Sequence, residues 1–471
     1  ITDSGALAIT GTTTLVTSAD NGTIALDTTT NAFTGALTIT TNDSSGTDAD
    51  VTIDGGTTAL IIAASTIDGD LTLTSGNASG ITDSGTVTVG GNLSATTDAN
   101  AGVINLGTMA VDGTIALTTN STGAATIVND AALTFAASTV GGALTATATT
   151  GNITDSGALA ITGTTTLVTS ADNGTIALDT TTNAFTGALT ITTNDSSGTD
   201  ADVTIDGGTT ALIIAASTID GDLTLTSGNA SGITDSGTVT VGGNLSATTD
   251  ANAGVINLGT MAVDGSFTLA PNGSGAVTIV NDAALTLAAS TMGGTFSGTA
   301  TTGDITDSGT LTITGAATFK TGADGSNIVL DSSSNAYSAA VTMIADAGGE
   351  DFGNITFVDS AAIDFATSAS SNGDLYINSS TDGTVGGNLS VTATTGNITD
   401  TVALAVTGTT TLVTSADNGT IVLDVTTNAF TGALTITTND SSGTDADVTI
   451  DGGTTPLIIA ASTIDGDLTL T

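Results

Sequence analysis

The sequence predicts an all-β protein, a parallel β-helix (β-solenoid) with three short strands per coil and about 18–19 coils. Three observations lead there: self-similarity at a fixed period, two-residue alternation of apolar residues with threonine, and only 2 prolines in 471 residues.

The repeat comes first. The tripeptide Ile-Thr-Asp opens modules at Ile1, Ile81, Ile153, Ile233, Ile305 and Ile398. Longer and shorter steps alternate: Ile1 to Ile81 is long, Ile81 to Ile153 is shorter, and the pair recurs to Ile233 and Ile305. The last step, to Ile398, is the longest. Residues 1–113 recur unchanged as 153–265. The chain therefore divides into unit 1–152 (submodules 1–80 and 81–152), unit 153–304 (153–232 and 233–304), a diverged, shortened repeat 305–397, and a partial repeat 398–471. All four are read as one continuous solenoid, because stacked repeats bury a core that none can bury alone. The sequence starts on a repeat, so it is read as a piece of a longer protein.

Within a unit the expected coils are 1–23, 24–50, 51–80, 81–103, 104–124 and 125–152. The fourth illustrates the pattern: Ile81-Thr82-Asp83, Thr86-Val87-Thr88-Val89 and Asn92-Leu93-Ser94-Ala95, separated by Ser84-Gly85 and Gly90-Gly91. Alternation at period two is a strand with one buried face, and Thr suits the outward positions. Gly, Asn and Asp fit the corners, where positive φ is often needed. No 3.6-residue periodicity and almost no Glu, Lys, Arg or Gln argue against helices. Residues 355–397 hold either one coil with an insertion or two irregular ones. The competing architecture is a string of immunoglobulin-like antiparallel sandwiches, served by calcium. Scarce proline favours the solenoid, since every interior strand needs its N–H for a neighbour; Pro456 falls at the start of a strand.

Composition excludes several functions. There are 46 acidic residues, all Asp but Glu350, against the single cation Lys320, giving a net charge of −45. That argues against nucleic acid and against anionic membrane surfaces as partners. No apolar run is long enough for membrane insertion. With no His and no Cys, disulfides, His- or Cys-based metal sites and nucleophilic triads are ruled out.

Segments such as Gly91-Asn92-Leu93-Ser94-Ala95-Thr96-Thr97 and Thr149-Thr150-Gly151-Asn152-Ile153-Thr154-Asp155 resemble the repeats of filamentous-haemagglutinin-like bacterial adhesins. The resemblance implies a right-handed parallel β-helix, export across a bacterial outer membrane, an extracellular or cell-surface location, and attachment to cell surfaces or matrix polysaccharide.

Parallel β-helices also include polysaccharide-acting enzymes, which makes carboxylate pairs the candidate chemistry. The pair Asp68/Asp70, repeated at Asp220/Asp222 and Asp465/Asp467, has the residue types of a hydrolase acid and base. Flanking Gly69 reads instead as a corner, and aromatics for sugar stacking make up only 3% of residues. No catalysis is expected. The densest acidic stretch carries Asp43, Asp48, Asp50 and Asp54, repeated as Asp195, Asp200, Asp202, Asp206 and as Asp440, Asp445, Asp447, Asp451. Calcium takes about 6–8 oxygens, which such corners can offer; the alternative is a solvated polar loop with no fixed ion. Leu60-Ile61-Ile62, with copies at Leu212-Ile213-Ile214 and Leu457-Ile458-Ile459, cannot turn all three side chains inward, so it is a candidate for lateral contact with other copies of the chain. End-to-end stacking is the other expected self-contact, through open strand edges. Outward Thr, as in Leu71-Thr72-Leu73-Thr74 and Ala143–Thr149, raises binding to ice or another crystal surface. The expected coils are unequal, with 104–124 the shortest and 51–80 the longest, which argues against a regular lattice. The expected role is a structural or adhesive extracellular fibre or stalk.

Overall fold

A computed structural model describes all residues except 43–47, 195–199, 251–252, 346–352, 367–373, 379–383, 440 and 442–444. The described secondary structure is entirely strand and turn, without helix. By internal contacts the chain forms two units, residues 1–229 with 235–242, and residues 230–234 with 243–471. Each is a right-handed parallel β-solenoid.

In the first unit two long parallel ladders form facing walls, and each coil passes through both. One wall runs Thr2, Ala25, Thr52, Thr72, Ser94, Ala116 and on through Thr114, Thr134 and Thr154, each residue beside its partner one coil away. The other includes Thr82, Asn105, Thr126, Thr145, Thr166 and Thr190. The described strand pairs are parallel throughout, which excludes the sandwich alternative. The second unit repeats the arrangement, with Thr286, Thr306, Val329 and Thr356 on one wall and Thr278, Ser297, Thr318 and Thr342 on the other.

Alternation decides which residues form the core. In Leu144–Ala148 the residues Leu144, Ala146 and Ala148 are buried while Thr145 and Thr147 face out. Inward residues stack on inward residues: Leu93 lies between Leu71 and Ile115. A fully buried Leu or Ile contributes about 1.5–3 kcal/mol. Asp, by contrast, concentrates where the chain turns.

Three expectations need correction. The first is the number of coils per unit. Thr2 reaches Thr154 in seven ladder steps rather than six. Residues 51–152, expected to make four coils, make five. The coil that carries Thr126 to Thr145 is tighter than even the shortest expected one, 104–124. The second is the strand count. Ile153–Asp155, Leu159–Ile161 and Thr165–Thr169 give three strands in one coil, whereas Thr114–Thr118 and Ala125–Asn129 fill another with two. Length alone does not decide this, because the equally short coil from Leu133 to Ile153 carries three strands, Leu133–Phe135, Ser138–Val140 and Leu144–Ala148.

The third correction concerns regularity. The steps from Thr126 to Thr145, from Thr145 to Thr166 and from Thr166 to Thr190 grow longer in turn, yet the strands stay in register without a shift. Corners absorb the difference in length, because ladder hydrogen bonds and inward side chains both penalise a slip. On these four coils the outward rows stay aligned, whereas the register shifts between Leu106 and Met109 and between the pairs Leu37–Ile62 and Thr40–Thr66, so the lattice is regular only in stretches.

A unit of seven coils also explains why it holds two submodules. Each submodule advances the solenoid by three and a half coils. Ile-Thr-Asp consequently lies on one wall at Thr2 and Thr154 and on the facing wall at Thr82. In the second unit Thr306 and Thr399 likewise fall on different walls. In the irregular stretch, Ile363–Phe365 pairs both with the nearby Asp374–Leu375 and with Ile398–Asp400. This is one coil with an insertion, whose described part, Asp374–Asn378, is a strand between Val341–Ala345 and Ile363–Phe365.

Candidate functional surface: acidic corners and outward stripes

Corners present backbone N–H groups that bend away from the strand ladders and need other acceptors. The Asp of Ile-Thr-Asp serves one set. Asp3, Asp155, Asp307 and Asp400 each accept a hydrogen bond at 2.6–2.7 Å from the side-chain amide of Asn31, Asn183, Asn335 and Asn428, one coil on. Those buried Asn residues accept in turn from the backbone N–H of Leu7, Leu159, Leu311 and Leu404 at 2.7–2.8 Å. Asp83 instead accepts from the N–H groups of Gly107 (2.8 Å) and Thr108 (2.7 Å).

A second set climbs the corner that precedes a long strand. Asp50 Oδ1 accepts from the N–H of Asp70 (2.9 Å), Asp70 Oδ1 from that of Asn92 (2.7 Å), and Asn92 Oδ1 from that of Thr114 (2.8 Å). In the second unit the same stair runs Asp304, Asn327, Asn354, Asn388 to the N–H of Thr409, at 2.7–2.8 Å per step. Glycine precedes several of these residues because the acceptor below comes too close for a side chain. A Cβ on Gly91 would lie 2.3 Å from Asp70 Oδ1 and 2.7 Å from the Gly69 carbonyl carbon.

The predicted hydrolytic pair belongs to this system. Asp68 Oδ2 accepts from the N–H of Ala49 at 3.2 Å, and Asp70 is a step of the stair. Of the predicted calcium ligands, Asp43, Asp195 and Asp440 lie outside the described residues. Asp48, Asp200 and Asp445 are exposed. Asp50, Asp202 and Asp447 accept from the N–H of Asp70, Asp222 and Asp467 at 2.8–2.9 Å. Asp54, Asp206 and Asp451 cap the N–H groups of Gly56, Gly208 and Gly453, each at 2.7 Å. Burial raises the Asp54 pKa, the Gly56 N–H opposes that, and the charges of Asp98 and Asp27 add to it. Among the described residues no group of three or more carboxylates is placed to hold a metal ion.

The apolar triplet follows alternation. Leu60 and Ile62 are fully buried, as are Leu212 and Ile214, while Ile61 and Ile213 are half-buried on the outer side. Ile61 pairs with Thr82, so the apolar surface is one residue wide at that point. In the partial repeat Ile458 is 56% exposed. Lys320 is exposed on Ala317–Thr321, between Thr299 and Ile344.

Sequence reasoning missed the buried asparagines and the corner stair, because it reads corner Asn and Asp as residues suited to positive φ. Among the described residues, the non-glycine residues with positive φ are Asn100, Ala101, Ser121 and Ala253, none of them in the stair. The available signal was the recurring tripeptide Gly-Asx-Leu/Ile, at Gly69, Gly91, Gly151, Gly353, Gly387 and Gly396.

Family comparison bears on the same repeat. The family model described as Repeats of unknown function (DUF5649) matches residues 1–40, 48–107, 122–192, 200–264, 274–344 and 352–437. The chain belongs to this family of repeats. From residue 48 onward DUF5649 segments start close to the submodule spacing, so two of them span one seven-coil unit. Each family repeat thus corresponds to three and a half coils of the solenoid. No curated protein and no solved structure matches the chain.

Proposed function

We propose that this DUF5649 chain is a structural, adhesive segment of an extracellular fibre or stalk. The observation that carries the reading is the use of its polar side chains. Conspicuous acids accept from the next coil, from Asn side chains at Asp3, Asp155, Asp307 and Asp400 and from backbone N–H groups at Asp83 and along both corner stairs, while the buried asparagines cap N–H groups of the coil before. Copies of these groups recur with the repeat, which suits a stack that can be lengthened by duplication and does not suit a single reaction centre. Likeness to adhesin repeats supports a surface location and contact with cells or matrix polysaccharide. Outside a cell, calcium among Asp48, Asp200 and Asp445 and their neighbours would offset the repulsion of a chain with net charge −45. End-to-end and lateral contacts between copies, the latter at Ile61 and Ile213, belong to the same reading.

The test is electron microscopy of purified protein, alone and on cells expressing it, together with turnover assays on acidic and neutral polysaccharides. Thin unbranched filaments and no turnover are expected. Particles without elongation that cleave a polysaccharide would overturn the proposal. Calcium is tested separately, by the thermal midpoint in millimolar calcium against chelator at matched ionic strength. An unchanged midpoint removes calcium from the reading and leaves the fibre standing.

A further inference from the structure

The walls of the solenoid have a property unlike the rest of this acidic molecule. On four successive coils the outward residues are Thr126 and Val128, Thr145 and Thr147, Thr166 and Val168, then Thr190 and Thr192. They stand side by side in two straight rows, half-buried to exposed, with no charged residue in either row. On the facing wall Thr72 and Thr74 pair with Ser94 and Thr96, next to Ala116 and Thr118. The second unit carries a further set, Ser390 and Thr392, Thr411 and Val413, Thr435 and Thr437.

Stacking fixes the dimensions of these rows. Neighbouring strands lie about 4.8 Å apart, and alternate residues on a strand about 6.6 Å apart. β-branched side chains are stiff at χ1, so each row presents methyls and hydroxyls with little freedom. The result on Thr126–Thr192 is a neutral two-dimensional lattice of methyl and hydroxyl groups, rigid at the scale of a few water molecules; on the facing wall Asp54 stands at the end of the Thr74 row. The natural counterpart of such a lattice is itself periodic, uncharged and built from hydroxyl-sized units. Ordered water at the face of an ice crystal has a repeat of this size. A crystalline polysaccharide is also periodic, but the rows Thr126–Thr192 contain no aromatic ring on which a sugar could stack. The half-coil offset of successive DUF5649 repeats places Thr arrays on both walls.

We propose that the Thr/Val walls bind ice, holding ordered water against their methyl and hydroxyl rows. The idea is independent of the adhesive role, which concerns whole filaments and their attachment.

The test is ice-recrystallisation inhibition and ice-crystal shaping by the purified chain. It is compared with a variant carrying Thr74→Lys, Thr96→Lys, Thr147→Lys and Val168→Lys, and with a control carrying four lysines at the exposed turn residues Ser4, Asn120, Thr122 and Thr181. The fold accommodates lysine in a wall row, because Lys320 occupies in the diverged repeat the place of Val168. Circular dichroism and the thermal midpoint check folding of both variants. Expected results are inhibition by the native chain and by the turn control, and at least a several-fold loss in the wall variant. Three outcomes overturn the proposal: no effect of the native chain on ice, equal loss in both variants, or wall-dependent binding to crystalline cellulose or chitin with none to ice.

Discussion

Replacing Tyr337 by Phe should make the protein more stable. Tyr337 is 2% exposed, and its hydroxyl is buried without a hydrogen-bond partner among the described residues. Burial, and then the charges of Asp307 and Asp359, raise its pKa well above the ordinary tyrosine value, so the hydroxyl stays neutral and its cost does not vary with pH. The ring is well placed. It lies 5.0 Å from Phe357 and meets Phe319 edge-on at 6.2 Å, and Phe319 in turn lies 5.1 Å from Phe296. A phenyl group would keep all these contacts. The corresponding residues elsewhere, Phe33, Phe185 and Phe430, are fully buried phenylalanines. What changes is the desolvation of one unpaired hydroxyl, a gain of about 1–3 kcal/mol. The assay is urea unfolding of the native and Tyr337→Phe proteins, with hydrogen exchange at the amides of Phe319, Tyr337 and Phe357 to localise the effect. Slower exchange there and a higher midpoint are expected. A lower midpoint would show that the hydroxyl makes a bond that phenylalanine loses, and would refute the reasoning.

Further outcomes follow from the same structure. Asp359 occupies the place of the buried Asn129 and Asn281, whose amides donate to Val111 and Ala132 and to Val263 and Ala284. Asp359→Asn should therefore raise the thermal midpoint at neutral pH, by about 1–3 kcal/mol in denaturant titrations. Thr165 and Thr410 point hydroxyls without a partner among the described residues into rows of leucine, beside Leu144 and Leu189 and beside Leu389 and Leu434. Thr→Val at either site should stabilise by about 1 kcal/mol, measured by urea midpoint. Burial raises the pKa of Asp359 and of Asp400 above 3.8, so the folded protein binds these protons more readily than the unfolded chain. Stability should rise as pH falls from neutral through those raised values and level off near 3.8, with a smaller rise in Asp359→Asn; a midpoint that drops steadily as the pH is lowered from neutral would contradict this. Gly91→Ala should cost several kcal/mol, because the new methyl meets Asp70 and the Gly69 backbone, and exchange should accelerate in Leu93–Thr97.

The sequence was sufficient for the fold because the decisive signal is local. Alternation such as Leu144-Thr145-Ala146-Thr147-Ala148 states that a strand exists and which side is buried, and repetition states that strands stack. The absence of His and Cys likewise bounded the chemistry without coordinates. Asp70 could be read as a corner residue, but its acceptor role for Asn92 could not, since the donor lies one coil away and coil length was not legible.

Coil length is where tertiary structure took over. One coil closes quickly, from Thr126 to Thr145, and another takes the longer path from Ala25 to Thr52. Which path is taken depends on how the corners pack against the coil below. The two walls present the same alternation, so nothing local distinguishes Thr82 on one from Thr154 on the other. Only stacking settles that a DUF5649 repeat ends half a turn from where it began. The sequence by itself determined strands, inward faces and a parallel stack, because these follow from nearest neighbours along the chain. The three-dimensional structure decided the phase of the coils, the partners of each capping Asp and Asn, and the straight rows of Thr, because those depend on neighbours that the winding brings together.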